Sequence, residues 1–440
     1  MVECESHPIR KRAPFQVTTP AIDQHQSTVI VVGAGPGGLL AAGRAAECGA
    51  KVVVLERGPK VGRKLRICGK GRANITNIAD LPEFIAAFGE NGKFLYGPFS
   101  RFFRDDILGL LETLGVPCKA ERGGRVFPCS DNAHDVADAL ERWAKDAGAR
   151  FRFNARVKSL THADGRVTGV ILESNEEITG DAVIIATGGM TYPATGSTGD
   201  GYVMARQVGH SVVDPRPALT AMVTAETWPQ SAAGVTLRNV RASLFLTVDG
   251  EKPRLIGREM GELLLAKFGV SGPIILRLSR PAAQHLGLGT LELLIDLKPA
   301  LTDEQLELRF DRELVGEQHF RNYLPELLPK SLVKVFPEMC GIDPYKPLRQ
   351  ISRLERKEII RALREMKLTI TRMRPPEEAI VTSGGVELKE IDPRTMESKL
   401  VKGLYFAGEV ADIDATTGGY NLQSAFTMGW IAGESAAYAE

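Results

Sequence analysis

Residues 28–56 read TVIVVGAGPGGLLAAGRAAECGAKVVVLE. An apolar run, a glycine turn, a small-residue helical stretch, a second apolar run and a terminal acid follow one another without a gap. The turn carries Gly33, Gly35 and Gly38 in G-x-G-x-x-G spacing, with Gly37 inside it. Few folds accommodate this order. It predicts a strand–turn–helix–strand unit at the start of an open parallel α/β sheet. Each part has a task in holding a dinucleotide. Gly33 allows the tight turn, Gly35 lets a pyrophosphate approach the backbone, and Gly38 lets the helix pack against the sheet. The helix N-terminus offers free N–H groups and partial positive charge to the diphosphate. Glu56, at the end of the second strand, is placed to accept from adenosine ribose hydroxyls, and Arg57 follows it.

The rest of the composition narrows the class. The net charge is +1 over 440 residues, so neither nucleic acid nor an anionic membrane surface is indicated as a partner. The six cysteines form no C-x-x-C pair and the seven histidines show no ligand spacing, so no metal site is expected. That cysteine pattern fits a reducing compartment and a cytoplasmic location. No apolar run reaches membrane-spanning length. Residues 1–27 are polar, with Pro8, Pro14 and Pro20, and lack the apolar core of a secretory signal. They read as a disordered extension, with an organelle address or a cloning remnant as the alternatives.

Periodicity divides the remainder. Residues 132–148 fit a helix capped by Asn132, with Val136, Leu140 and Trp143 on one face. A three-stranded meander follows through RFRFNARVKSLTH, the turn at Ala163-Asp164-Gly165, VTGVILES and DAVIIATGG, feeding back into the main sheet. After about residue 212 the pattern becomes antiparallel: VRASLFLTVD at 240–249 and LELLIDL at 291–297 are expected strands of a small barrel-like β-domain. From 302 to 368 it is helical, opened by capping-box pairs at Thr302/Gln305 and Ser352/Glu355. Leu306, Phe310 and Leu314 share one face there, as do Ile359, Ile360, Leu363 and Met366. The α/β signal returns in KGLYFAGEVADIDATTGGYNLQSAFTMGWIAGESAAYA. The expected architecture is therefore a discontinuous Rossmann-like domain, residues 28–212 and 372–440. A barrel-like antiparallel domain (213–300) and a small helical domain (301–371) are inserted into it.

Four segments carry a family resemblance: GRKLRICGKGRANITN at 62–77, GGRVFPCSDNAHDV at 123–136, ATGGMTYPATGSTGDGY at 186–202 and GLYFAGEVADIDATTGGYNLQ at 403–423. The chain resembles the bacterial NAD(P)/FAD-dependent oxidoreductases labelled aminoacetone-oxidase-like, which include bile-acid reductase-type members. It is more distantly similar to the fumarate reductase flavoprotein superfamily. The resemblance covers roughly residues 28–438. It departs at Ala73, where the family usually has Cys, and at Ala415, where it usually has Gly. Ala73 speaks against a mechanism that needs a thiol there, and Cys68 cannot be assumed to replace it.

The resemblance implies FAD. The presence of one G-x-G-x-x-G unit agrees, because a dedicated nicotinamide domain would add a second. NAD(P)H would then visit the flavin transiently. In the basic loop after Glu56, Gly62, Arg63, Lys64, Gly69, Gly71, Arg72 and Asn74 are candidates for the diphosphate and ribityl chain, or form a solvated basic turn. Val157 would pair its backbone with adenine, and Thr187 and Gly188 would pass the adenosine. Gly408 and Glu409 would point at the ribityl and phosphate region. Thr417, Gly418, Gly419, Tyr420, Asn421 and Leu422 precede a final helix whose dipole would favour negative charge on the reduced ring. A turn plus helix cap explains Tyr420 and Asn421 equally. Arg72, Tyr192 and Tyr420 are the candidates for catalysis, each equally a cofactor contact or a packing residue. No Ser/His/Asp set or carboxylate pair stands out in the sequence.

The leading expectation is an FAD enzyme taking hydride from NAD(P)H and reducing a small organic substrate, such as an activated double bond beside a carbonyl. The alternatives are an oxidase of a small amine or alcohol that uses oxygen, and a non-catalytic flavin-binding sensor or scaffold.

Overall fold

The computed structural model of the protein describes residues 26–439. The extension expected over residues 1–27 therefore lies outside the described residues, apart from Gln26 and Ser27. Two compact units emerge, one running to Arg216 and resuming at Val381, the other Pro217–Ile380.

The first unit is built on a parallel sheet. Its strands are β1 (Thr28–Val32), β2 (Lys51–Glu56), β3 (Arg150–Phe153), β4 (Ala182–Ile185) and β5 (Leu404–Phe406), in spatial order β5-β4-β1-β2-β3. All four pairings are parallel. β1 is apolar and buried, as expected for a strand covered on both faces. Helix α1 (Pro36–Glu47) follows β1 directly, with proline at its first turn. The C-terminal helix α2 (Tyr420–Ala437) packs on α1 through small residues. An added Cβ at Gly429 would lie 2.1 Å from the Gly37 carbonyl oxygen, and one at Gly433 would lie 2.3 Å from that of Ala41. Bulk at either position would push the two helices apart.

The expected helix over 132–148 spans Ala133–Asp146, and the Asn132 side chain accepts from the His134 N–H. The meander differs from expectation. Asn154, at φ +55°, breaks the first run in two. Arg150–Phe153 joins the parallel sheet, whereas Val157–Ala163 opens a separate antiparallel sheet with Arg166–Leu172 and Glu177–Thr179. Asparagine tolerates the left-handed conformation better than most residues, so the chain changes sheets at that point.

In the second unit six antiparallel strands close a barrel. Its longest strands, Thr236–Thr247 and Arg254–Ala266, form a hairpin beside Thr290–Asp296. Both capping boxes are present, at the helices Asp303–Glu313 and Arg353–Arg364. The boundaries need correction. Met366–Met373, expected to end the helical segment and begin the return, is a barrel strand paired with Thr290–Asp296. The helices are thus inserted between two barrel strands and share one hydrophobic core with them. Met366 fits the helical stripe of Ile359 and Leu363. It also starts the strand alternation Met366, Leu368, Ile370, all buried, so local period alone could not assign it. The return to the first unit comes at Val381 rather than residue 372, and the departure at Pro217 rather than 213.

Candidate functional site

The carboxyl end of β1 turns at Gly33, which has φ +101°. A Cβ there would lie 2.6 Å from the Ala186 carbonyl oxygen at the end of β4, and one on Gly38 would lie 1.9 Å from that of Gly33. Gly37 faces Ala407 and Ala425. Gly35 differs, since its Cβ direction is open, with nothing nearer than 4.0 Å. It caps α1 in an extended conformation and leaves the helix N-terminus uncovered by its own side chain. This is the cradle that a pyrophosphate requires.

Glu56 is buried at the end of β2. One carboxylate oxygen accepts from the Ala34 N–H at 2.9 Å, the other from the Gly58 N–H at 2.7 Å. The acid thus fixes the glycine turn, with lone pairs left for ribose hydroxyls. Ala155 N–H donates to the Glu56 carbonyl, which brings Val157, buried at the start of its strand, to the same end of the site.

The basic loop lies differently from the sequence expectation. Arg57 donates to Thr198 and pairs with Asp200 at 3.2 Å. Arg63 donates to the Ala194 carbonyl at 2.6 Å. Lys64 donates to Thr191 and to Glu409, each at 2.8 Å. Glu409 also accepts from the Thr382 N–H at 2.7 Å. Each of these cations is therefore engaged within the protein. Arg72 is placed furthest from its expected role. Its guanidinium is shared by Glu121 and Asp131 and stands 4.1 Å over the Phe127 ring, and the two carboxylates raise its pKa. That arrangement is a surface ion-pair network.

Between Arg63 and Asn74 the backbone leaves the right-handed helix. Gly69, Lys70, Gly71 and Ala73 have φ of +59°, +61°, +83° and +58°. Two of these are not glycine, and such strain concentrates at functional sites. The run delivers Asn74 and Thr76, whose Oδ1 and Oγ1 atoms are buried with no hydrogen-bond partner. The Gly418-Gly419 turn packs on this segment. Asn77 donates to the Gly418 carbonyl at 2.9 Å, and a Cβ on Gly419 would lie 2.2 Å from the Thr76 carbonyl oxygen. The basic loop and the C-terminal loop thus meet. Unpartnered buried oxygens beside a helix N-terminus suit the polar edge of an isoalloxazine, and the open glycine cradle suits its diphosphate. The residues present fit FAD.

Gly408 ends the β5 segment at φ +79°, against Ala425 of α2. Thr187 and Gly188 continue β4 beside Gly33. Asn421 accepts from the Ala415 N–H at 2.8 Å and donates to its carbonyl at 2.9 Å, fastening the loop to the helix. Leu422 is half-buried one residue further on. Tyr420 packs edge-on against Phe84 with ring centroids 4.6 Å apart, and burial raises its hydroxyl pKa. Tyr192 has φ +53° in a loop held elsewhere by cations.

Sequence reasoning passed over Thr76, Thr191, Thr382, Arg156 and Asp200, which lack a local signature. It also passed over a line formed by Ser398, His210 and Glu390. His210 lies 2.7 Å from Ser398 Oγ and 3.0 Å from Glu390. This is not a nucleophilic triad. Ser398 is buried and its Oγ already accepts from the Leu400 and Val401 N–H groups. Burial lowers the His210 pKa against the pull of Glu390, so the neutral ring acts as a clamp.

Fold and site together define a Rossmann-type dinucleotide-binding flavoprotein. The model of the HI0933-like protein Rossmann domain matches residues 27–435, and the chain belongs to that family. It is 30% identical over 418 residues to the 3-dehydro-bile acid delta(4,6)-reductase of Clostridium scindens, covering 92% of this chain and 98% of the relative. It is also 30% identical to the ribosomal RNA dihydrouridine synthases of Haemophilus influenzae, over 406 residues, and Escherichia coli, over 405. Each match covers 91% of this chain and 96% of the relative. The protein is an FAD-dependent oxidoreductase. No helix among the described residues is long and apolar enough to cross a membrane.

Proposed function

We propose that the protein reduces a carbon–carbon double bond conjugated to a carbonyl in a small organic substrate, with NAD(P)H as hydride donor. The observation that carries this reading is the pair of relative types. One is named for reducing a bile-acid double bond, the other for making dihydrouridine, whose formation saturates the uracil double bond beside a carbonyl. Both names describe the same bond chemistry on different molecules. FAD held in this site, once reduced by NAD(P)H, would pass the hydride on to the substrate double bond. The chain's own residues hold and tune it. The Gly35 cradle and α1 take the diphosphate, Glu56 the ribose, and Asn74, Thr76 and the α2 N-terminus the polar edge of the ring. Tyr192 and Tyr420 remain the candidate proton sources, because Arg72 is held by Glu121 and Asp131.

A small substrate is preferred because the cations around the cleft, Arg57, Arg63, Lys64, Arg72 and Arg156, all have partners within the fold and the net charge is +1. A cytoplasmic location fits the unbridged thiols of Cys48, Cys68 and Cys340. The second reading, uridine in RNA, is favoured by the names of two relatives at equal identity.

The test is an anaerobic spectrum of the purified protein. NADH or NADPH should bleach the flavin, and an enone should restore its colour with the saturated product. Bleaching by an amine, with peroxide formed on reoxidation, would replace this reading with the oxidase. Mass spectrometry of ribosomal RNA nucleosides from a strain lacking the gene addresses the second reading, since loss of one dihydrouridine would establish it.

A further inference from the structure

We infer that the loop Gly189–Gly199 is a clasp across the dinucleotide cleft, and that the basic residues around it serve to lock this clasp. The inference rests on the FAD reading above.

The loop leaves β4 beside Gly33, and its ends meet through a hydrogen bond from the Gly199 N–H to the Gly189 carbonyl at 3.1 Å. It is thus a compact Ω-shaped excursion. Sheet order puts β4 on one side of β1 and β2 and β3 on the other. The loop and the start of the helix that follows it, Asp200–Gln207, are tied to both sides. Thr191 joins Lys64 and Glu409, just beyond β5. Ala194 receives Arg63. Thr198 and Asp200 receive Arg57, just beyond β2. Arg156, after β3, grips both Asp200 oxygens at 2.8 and 2.9 Å. The anchors therefore fall on either flank of the Gly33–Gly38 turn, along the edge where the diphosphate lies in this fold.

Asp200 is the central lock. Burial pushes its carboxyl pKa up, but the hydrogen bonds of Arg156 and Thr198 and the charges of Arg156 and Arg57 outweigh this and hold it below the usual range. The loop backbone is suited to hinging. Tyr192, Gly196 and Gly199 have φ of +53°, +109° and +82°, and Gly188 just before the loop has +72°. Gly196 lies over the stem of Arg57, where a Cβ would come within 3.5 Å. A clasp held by charge pairs and pivoted on left-handed residues can open without disturbing the sheet.

The alternative is that Arg57 contacts FAD directly, with Asp200 merely competing for it. The two ideas predict opposite signs. In the holoenzyme, Asp200→Asn should release FAD about tenfold faster, the scale of losing one charge-assisted pair. Apoprotein of the variant should also take FAD up faster. Release is followed by recovery of flavin fluorescence on dilution, uptake by its quenching. If Arg57 were a direct ligand, freeing it would slow release, and that outcome, or equal rates, overturns the clasp. Arg156→Gln removes the same lock from the other side, should Asp200→Asn fold poorly. Wild-type protein that binds no FAD would instead overturn the cofactor reading itself.

Discussion

At Gly38 an added Cβ would sit 1.9 Å from the Gly33 carbonyl oxygen, whereas at Gly71 it would meet nothing within 4 Å. Both glycines belong to turns that the proposed function assigns to one cleft. In the first turn glycine is demanded by collision, because α1, β1 and the end of β4 converge there. In the second it is demanded by dihedral angle, because the chain is left-handed at Gly69, Lys70 and Gly71 and again at Ala73, with open space around Gly71. The run even places Lys70 and Ala73 in that conformation, at a cost of roughly 1–2 kcal/mol each. A collision cannot be relieved without moving backbone. A dihedral cost can be adjusted residue by residue. The first turn is a fixed part of the fold and the second a strained one, which delivers Asn74 and Thr76 to the site.

The largest expected effect follows from the collision. Gly38→Ala should destabilise the apoprotein by about 3–5 kcal/mol, the range of severe core disruption. It should also purify with little flavin. Urea unfolding monitored by circular dichroism measures the first and absorbance the second. A loss below about 1 kcal/mol would mean that helix and strand separate easily, and the contrast between the turns would fail.

Gly35→Val sharpens the same point from within the first turn. Its Cβ direction is open, so the apoprotein should change by less than about 1 kcal/mol. FAD affinity should fall at least about a hundredfold, or ~2.7 kcal/mol, because the side chain occupies the pyrophosphate approach. Fluorescence titration of apoprotein with FAD reads this. Full affinity in the variant would remove the diphosphate from this turn.

How far the sequence revealed these sites follows the same division. The first turn was legible because its requirements are local: strand, glycines, helix and acid lie within one segment. The capping boxes at Thr302 and Ser352 were legible for that reason too. The roles of the cations were not. Arg57 meets Asp200 and Lys64 meets Glu409 across 143 and 345 residues, so their charge reads as available until the fold supplies the partner. The barrel strand Met366–Met373 was hidden by a related cause. Its pairing with Thr290–Asp296 crosses the whole helical insertion, and its first residue completes a helical stripe. The break at Asn154 rests on one residue's tolerance of positive φ, which asparagine permits without announcing.

Gly71→Ala isolates the dihedral term. No atom obstructs the new methyl group, so the cost is left-handed strain less the entropy that alanine removes from the unfolded chain. About 1 kcal/mol of destabilisation is expected, read from the urea midpoint at constant slope. A loss as large as that of Gly38→Ala would mean that hidden packing, and not backbone angle, governs this run.

The smallest effect has the opposite sign and completes the contrast. Lys70 is exposed at φ +61°, so Lys70→Gly discards no buried surface. It relieves roughly 1–2 kcal/mol of strain and gives back about 0.4–1 kcal/mol through the more flexible unfolded chain. The net expectation is a gain of about 0.5 kcal/mol in the apoprotein. Paired urea curves on both proteins resolve the sign if the slopes agree. The same substitution frees the hinge that presents Asn74, so flavin affinity should fall slightly while stability rises. A rise in both would show that the left-handed turn only burdens the fold, and the link between its strain and the flavin site would be lost.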